Sequence, residues 1–206
     1  MKIKTIVGKK FDELCFELAS NIIDSNYNPD IVIGIKNGGD IVGKKVFKYL
    51  KMSNSRLKYF TISTRHKSTN NFEKINLGKF LQYIPNFLLN IIRIVQIITY
   101  EKLFDWFKFK RKYDIDYNID KELIHLMHLG NKKILIIDDA IDSGLTMQYT
   151  LSNIKIKGLP RPRKKSNEIK IAVATVTYSN PIIKPDYQLY NKTIIRFPWA
   201  LDVKQK

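Results

Sequence analysis

Ile134-Leu135-Ile136-Ile137-Asp138-Asp139-Ala140-Ile141-Asp142-Ser143-Gly144-Leu145-Thr146-Met147 is the stretch that decides how this chain folds. The aliphatic run after Lys132-Lys133 predicts a strand over 132–138 that is apolar on both faces, as strands of a parallel sheet are. An acidic pair ends it, and a tight glycine-containing loop leads into a helix. Such a turn presents backbone N–H groups and the positive end of the helix dipole to an anion, and Ser143 and Thr146 add hydroxyl donors. The loop from Asp142 to Thr146 therefore reads as a phosphate cradle. Asp138 and Asp139 stand at the carboxyl end of the strand, where open parallel sheets bind ligands. Carboxylates accept hydrogen bonds from sugar hydroxyls and help to hold Mg²⁺ beside a phosphate. An acid pair a few residues ahead of this loop suits a ribose phosphate.

Outward from this segment, strand and helix patterns alternate. Residues 11–24 carry Phe11, Leu14, Cys15, Leu18, Ile22 and Ile23 on one helical face. Asn28-Pro29-Asp30 breaks the chain before a strand over 31–35. Gly38 and Gly39 follow at once, and 40–50 reads as helix. Further strands are predicted over 58–64 and 169–178. Alternation of this kind implies an α/β fold, a mostly parallel sheet flanked by helices with right-handed crossovers. Between the second and third of these strands lies a long insertion, about 65–130, too long to be a plain connection. Within it, 85–110 reads as an amphipathic helix with Pro85 suited to its first turn. Its apolar face needs a cover, and core or dimer packing is expected. The cluster Lys108, Lys110, Arg111, Lys112 leaves a membrane-surface reading as the alternative. His125 and His128 lack the matched Cys or acid set of a zinc site, so helix-surface or core positions are expected.

A chain of 206 residues, 44% hydrophobic, can bury a core as one domain. No apolar run suits a signal peptide or a membrane span, so a soluble cytoplasmic protein is expected. Cys15 is the only cysteine and is expected to be a buried core thiol. Thirty-six basic against nineteen acidic residues give +17, which attracts phosphorylated substrates, nucleic acid or acidic lipid. The abundance of Lys, Asn and Ile also fits a base-composition bias, although that does not explain the shortage of acids.

The segment IIDDAIDSGLTM resembles the phosphoribosyl pyrophosphate signature of type I phosphoribosyltransferases. A second match is IVIGIKNGGDIVGKKVFKYL, residues 31–50, similar to the early strand and pyrophosphate loop of that family. There, paired glycines are expected to permit the unusual backbone geometry that lets N–H groups approach the pyrophosphate. A third is the C-terminus, where KPDYQLY (184–190) and IIRFPWALD (194–202) resemble the hood that covers the base in purine and xanthine members. The resemblance implies a type I phosphoribosyltransferase-like domain over 1–206, with a hood at about 179–206. It further implies a homodimer, Mg²⁺ as cofactor, and transfer of 5-phosphoribosyl from phosphoribosyl pyrophosphate to a nucleobase, purine-like, with release of pyrophosphate. Asp138 and Asp139 would hold ribose and metal, and 142–146 the 5'-phosphate. Lys36, Asn37, Gly38 and Gly39 would hold the pyrophosphate. Arg65, His66 and Lys67, after the second strand, would start the mobile loop. Tyr178, Ile194, Ile195 and Trp199 would face the base. Asp142 matches the position that exchanges a proton with the purine ring, and a helix cap is its other reading.

Three departures from the family pattern matter: the first two leave base recognition altered, the third falls in the pyrophosphate loop, and phosphate and ribose recognition is expected to be intact. Tyr178 stands where 6-oxopurine enzymes carry a base-binding Lys, Ile194 where a stacking aromatic precedes Phe-Pro-Trp, and Asn37 where a basic residue precedes Gly-Gly. Two alternatives belong to other classes. One is a phosphoribosyl-pyrophosphate-binding regulator that uses Lys108–Lys112 and Arg161-Pro162-Arg163-Lys164-Lys165 on nucleic acid; the other is an effector with a polymeric acceptor.

Overall fold

The computed structural model describes residues 1–66, 85–107 and 115–200. Its centre is a six-stranded sheet in the order β4-β3-β2-β5-β6-β7. The strands are β2 (Ile31–Ile35), β3 (Lys58–His66), β4 (Ile115–Asn118), β5 (Lys133–Ile141), β6 (Glu168–Val176) and β7 (Tyr187–Asn191). All neighbours are parallel except β3 and β4. Side chains alternate across the sheet. Val32, Leu135, Ile137, Ala172 and Ala174 face one layer, built with α1 (Lys9–Asp24) and α2 (Gly38–Ser53). Ile31, Ile33, Ile134, Ile136 and Val173 face the other, built with α4 (Lys121–His128) and α5 (Leu145–Lys157). Those two apolar faces explain why the central strands read as unbroken hydrophobic runs.

In α1, the helical periodicity of Phe11, Leu14, Cys15, Leu18 and Ile22 buries one stripe in the first layer. Cys15 is fully buried, and that burial pushes its thiol up to about 12, with Lys45 pulling back in part. It is a core residue, as expected.

Several elements differ from their predicted form. β3 runs on through His66, held by antiparallel pairing of Arg65 with Asp116 and His66 with Ile115. Arg65 and His66 are therefore strand residues rather than the first residues after the strand; Lys67 lies outside the described residues. β5 continues to Ile141 because β6 pairs with it past the acidic pair, Ala140 with Thr175 and Ile141 with Val176. The stretch 115–128, assigned by sequence to the insertion, supplies an edge strand and a helix whose Leu123 and Met127 are core residues. His128 Nε2 meets the Lys157 carbonyl at 2.9 Å, and His125 is exposed. Tyr187–Asn191, expected in the hood, is an edge strand of the main sheet, anchored where the Asp186 carboxylate accepts the Ile171 N–H. The small sheet beside it joins both ends of the chain, with β1 (Lys2–Thr5) parallel to β8 (Thr193–Arg196). Finally, α3 (Asn86–Phe107) forms within the predicted 85–110, whose last residues lie outside the described ones, with the Pro85 carbonyl accepting the N–H groups of Leu88 and Leu89; among the described residues Leu89 is buried whereas Phe87, Ile91, Ile92 and Val95 are exposed.

Candidate active site

The sheet has one topological switch. From β2 the chain crosses through α2 to β3, toward one edge; from β5 it crosses through α5 to β6, toward the other. A crevice opens between the carboxyl ends of strands at such a point. β2 stops at Ile35, one residue after Gly34 pairs with Ile137, whereas β5 runs on. The acidic pair of β5 thus lies beyond the end of β2, and residues 36–39 turn into α2 directly against it.

The contact at that turn is tight. A Cβ on Gly38 would overlap the Asp139 carboxylate and stand 3.0 Å from Trp199 Nε1; a Cβ on Gly39 would lie 2.5 Å from Asp138 Oδ1 and 2.8 Å from its Cα. The glycines were expected to supply unusual backbone angles. Instead both start α2 without positive φ, and what they provide is room. The preceding Lys36–Asn37 peptide is cis, and both of those side chains are exposed. Asp40 fixes the first turn of α2: its Oδ1 accepts the Tyr59 hydroxyl at 2.9 Å and the Thr61 hydroxyl at 2.7 Å, and Lys44 bonds its other oxygen. Burial works to raise its carboxyl, but the bonds from Lys44, Thr61 and Tyr59 outweigh it and hold Asp40 below the ordinary value. Sequence reading missed this trio. Its only local signal was an acid in the first turn of a helix.

Asp138 and Asp139 are partly buried at the base of the crevice. Loss of hydration pushes Asp138 well above the carboxylate range, and the neighbouring Asp139 adds to that. Asp139 is also raised by burial, against stabilising hydrogen bonds that include the Trp199 side chain. The Asp139 N–H donates to Asp138 Oδ1 at 2.9 Å, and the Ala140 N–H to Asp139 Oδ1 at 3.0 Å. Two recessed, like-charged oxygen donors of this kind favour a bound cation.

The following loop suits an anion. Gly144 is the N-cap of α5 with φ 83, and no N-cap side chain competes for the first-turn N–H groups. A side chain there would strain the backbone and press within 2.8 Å of Ile183 N. Ser143 Oγ accepts the Leu145 N–H at 3.4 Å, and the Ser143 carbonyl accepts the Ile182 N–H at 2.8 Å. Leu145 and Thr146 open the helix. Asp142 does not cap it; its carboxylate takes the Thr177 hydroxyl across the end of β6.

Beyond β6, Tyr178 is buried, and Phe104 of α3 packs on its edge at 6.2 Å. Glu101 of the same helix accepts the Ser179 N–H at 2.6 Å. The insertion therefore docks on the segment expected to meet the base, through residues that sequence reading had not assigned. Ile194 is buried in β8 opposite Ile3, and Ile195 belongs to the core beside Phe11 and Phe197. Trp199 stacks on Phe197 at 4.7 Å and reaches the acidic pair rather than the Tyr178 side of the cleft.

The family profile described as the phosphoribosyl transferase domain matches residues 7–206. The chain belongs to this family. Solved structures agree in fold. A purine phosphoribosyltransferase from Pyrococcus horikoshii Ot3 is 20% identical with a TM-score of 0.59, each chain covered fully. A Helicobacter pylori xanthine-guanine-hypoxanthine phosphoribosyltransferase is 16% identical with a TM-score of 0.57, over 98% of this chain and 96% of that one. A hypothetical protein from Neisseria gonorrhoeae, solved with ppGpp bound, is 15% identical with a TM-score of 0.55, over 97% and 90%. No curated protein matches in sequence. The chain is a phosphoribosyltransferase, of the α/β architecture with a mostly parallel sheet that its family shares.

Proposed function

We propose that this phosphoribosyltransferase moves 5-phosphoribosyl from phosphoribosyl pyrophosphate to a purine-like nucleobase, releasing pyrophosphate. The observation that carries the reading is the acidic pair held between two glycine loops at the switch point, Gly38–Gly39 on one side and 142–146 on the other. In this reading the 142–146 turn binds the 5'-phosphate through helix N–H groups and the hydroxyls of Ser143 and Thr146. Asp138 and Asp139 accept the ribose hydroxyls, and Lys36 with the 36–39 backbone binds the pyrophosphate. Adjacent carboxylates are hard oxygen donors of the kind Mg²⁺ takes, completed by phosphate oxygens. Held by Asp138 and Asp139, the ion would neutralise charge on the leaving pyrophosphate.

The C1–oxygen bond to pyrophosphate breaks through an oxocarbenium-like state, and a C1–nitrogen bond to the base forms. Asp142, oriented by Thr177, accepts the proton that the base nitrogen gives up. The chain's contribution is mostly positioning and electrostatics. Tyr178 stands where a base-binding lysine is expected but is buried beside Phe104, and Ile194 is taken up by the β1–β8 sheet, so recognition of the base differs from that of 6-oxopurine enzymes.

The test is to incubate the protein with phosphoribosyl pyrophosphate, Mg²⁺ and a panel of free bases and RNA, and to follow pyrophosphate. Release with a free purine supports the reading; release only with RNA transfers the acceptor to a polymer. Asp138→Asn with Asp139→Asn is expected to weaken donor binding by about a hundredfold or more, and unchanged binding would remove the site.

A further inference from the structure

Past the carboxyl end of β6, residues 177–183 run without regular structure, and both ends of this span are tied to the turn after β5. At the first end the Thr177 N–H donates to the Ile141 carbonyl at 2.9 Å and the Thr177 hydroxyl bonds Asp142. At the second the Ile182 N–H donates to the Ser143 carbonyl at 2.8 Å, and a Cβ on Gly144 would stand 2.8 Å from Ile183 N. Between these anchors Pro181 has no N–H to give, and Ser179 and Asn180 are exposed. Helix α3 supports the middle. Glu101 accepts the Ser179 N–H at 2.6 Å, and Phe104 meets the buried Tyr178 edge-on with ring centroids 6.2 Å apart. Three residues apart, Glu101 and Phe104 share one helical face, so α3 grips two consecutive residues of the span.

Given the transfer proposed above, we infer that Glu101 and Phe104 are positioning residues for the acceptor: by holding Ser179 and Tyr178 they set where the base lies relative to Asp142. A base nitrogen must reach the anomeric carbon and pass its proton to Asp142 in one geometry, so the wall beside it has to be fixed closely. A span anchored only at its ends can bow in the middle. A carboxylate on the Ser179 N–H is a stronger restraint than a neutral acceptor, and an edge-on ring pair fixes the direction of Tyr178. The donor groups are braced elsewhere. Asp138 and Asp139 lie against Gly38 and Gly39, Trp199 bonds Asp139, and Asp40 ties the start of α2 to β3. The influence of α3 therefore falls on the acceptor rather than on the donor, through two residues of an insertion that holds none of the phosphate-binding turns.

The experiment is steady-state pyrophosphate release by the full chain with the acceptor base varied, beside equilibrium binding of phosphoribosyl pyrophosphate with Mg²⁺. Glu101→Ala and Phe104→Ala are each expected to lower kcat/KM for the acceptor by about tenfold while donor binding stays within about twofold of wild type. Glu101→Gln, whose amide oxygen still accepts an N–H, is expected to recover most of that loss. Lys102→Ala, at an exposed position of the same helix, is expected to change nothing. Cooperative thermal melts show that each variant has folded, and Glu101→Ala, which removes an exposed bond, carries the test alone if Phe104→Ala does not fold. Wild-type acceptor kinetics in the Ala variants overturn the proposal and leave the transfer reading standing. A parallel loss of donor binding also overturns it, because general loosening of the site would then explain both, and so does a Gln variant no better than Ala. No pyrophosphate from the wild type with any acceptor overturns the transfer reading, and this role for α3 with it.

Discussion

Gly38 and Gly39 have their consequence through the atoms opposite them. Each faces one carboxyl of the acidic pair so closely that even a methyl group must displace it. Gly38→Ala is expected to fold but to shift the 36–39 turn away from Asp139. A displacement of about 1 Å in a positioning site can lower turnover by about a hundredfold. Steady-state pyrophosphate release against thermal stability separates the two effects: a large loss of activity with a small loss of Tm is the expected pattern. Equal activity would mean that the turn has slack. The glycines were legible in sequence because Gly-Gly directly after a strand is a strong local signal, but the reason assigned to them was not. Nothing in the local sequence says that residues 138 and 139, a hundred positions on, sit against residues 38 and 39.

At the level of elements, the site depends on how firmly α2 starts. Asp40 ties that first turn to β3 through Tyr59 and Thr61 and to the next helical turn through Lys44. Asp40→Asn keeps the size of the side chain but weakens charge-assisted bonds, and is expected to lower stability by about 1–2 kcal/mol at pH 7. Because the native carboxyl lies below its ordinary value of 3.8, its stabilisation is present in full above that value and fades as pH falls through the lower native one. Chemical denaturation at pH 7 and at pH 3 should therefore show a gap between wild type and variant that narrows in acid. A gap that widens there would contradict this. Helices α1, α2 and α5 and strands β2, β5 and β6 were all readable, since periodicity and turn residues mark long elements well. The short strands β1, β4, β7 and β8 were not. Their four or five residues have mixed polarity, and only partners far along the chain make them strands.

For the whole molecule, the N-terminal strand matters out of proportion to its length. β1 pairs with β8, and β8 leads directly to Phe197 and Trp199, which packs on Phe11 and reaches Asp139. Removal of residues 2–5 is expected to lower Tm by roughly 5–10 °C through lost backbone bonds and burial, and to weaken turnover more than donor binding. An unchanged melt would mean that β8 holds its place without a partner. Sequence by itself determined the glycine turn after β5, the acidic pair and the α/β alternation. Each is a contiguous strand-loop-helix unit whose residue types act on their immediate neighbours, so local order is enough. Tertiary structure alone decided that two glycine loops meet over one pair of carboxyls, that the chain ends share a sheet, and that α3 docks on Tyr178 and Ser179 through Phe104 and Glu101. Those outcomes depend on which distant surfaces touch, and a helical periodicity tells that a face is apolar without telling which way it points.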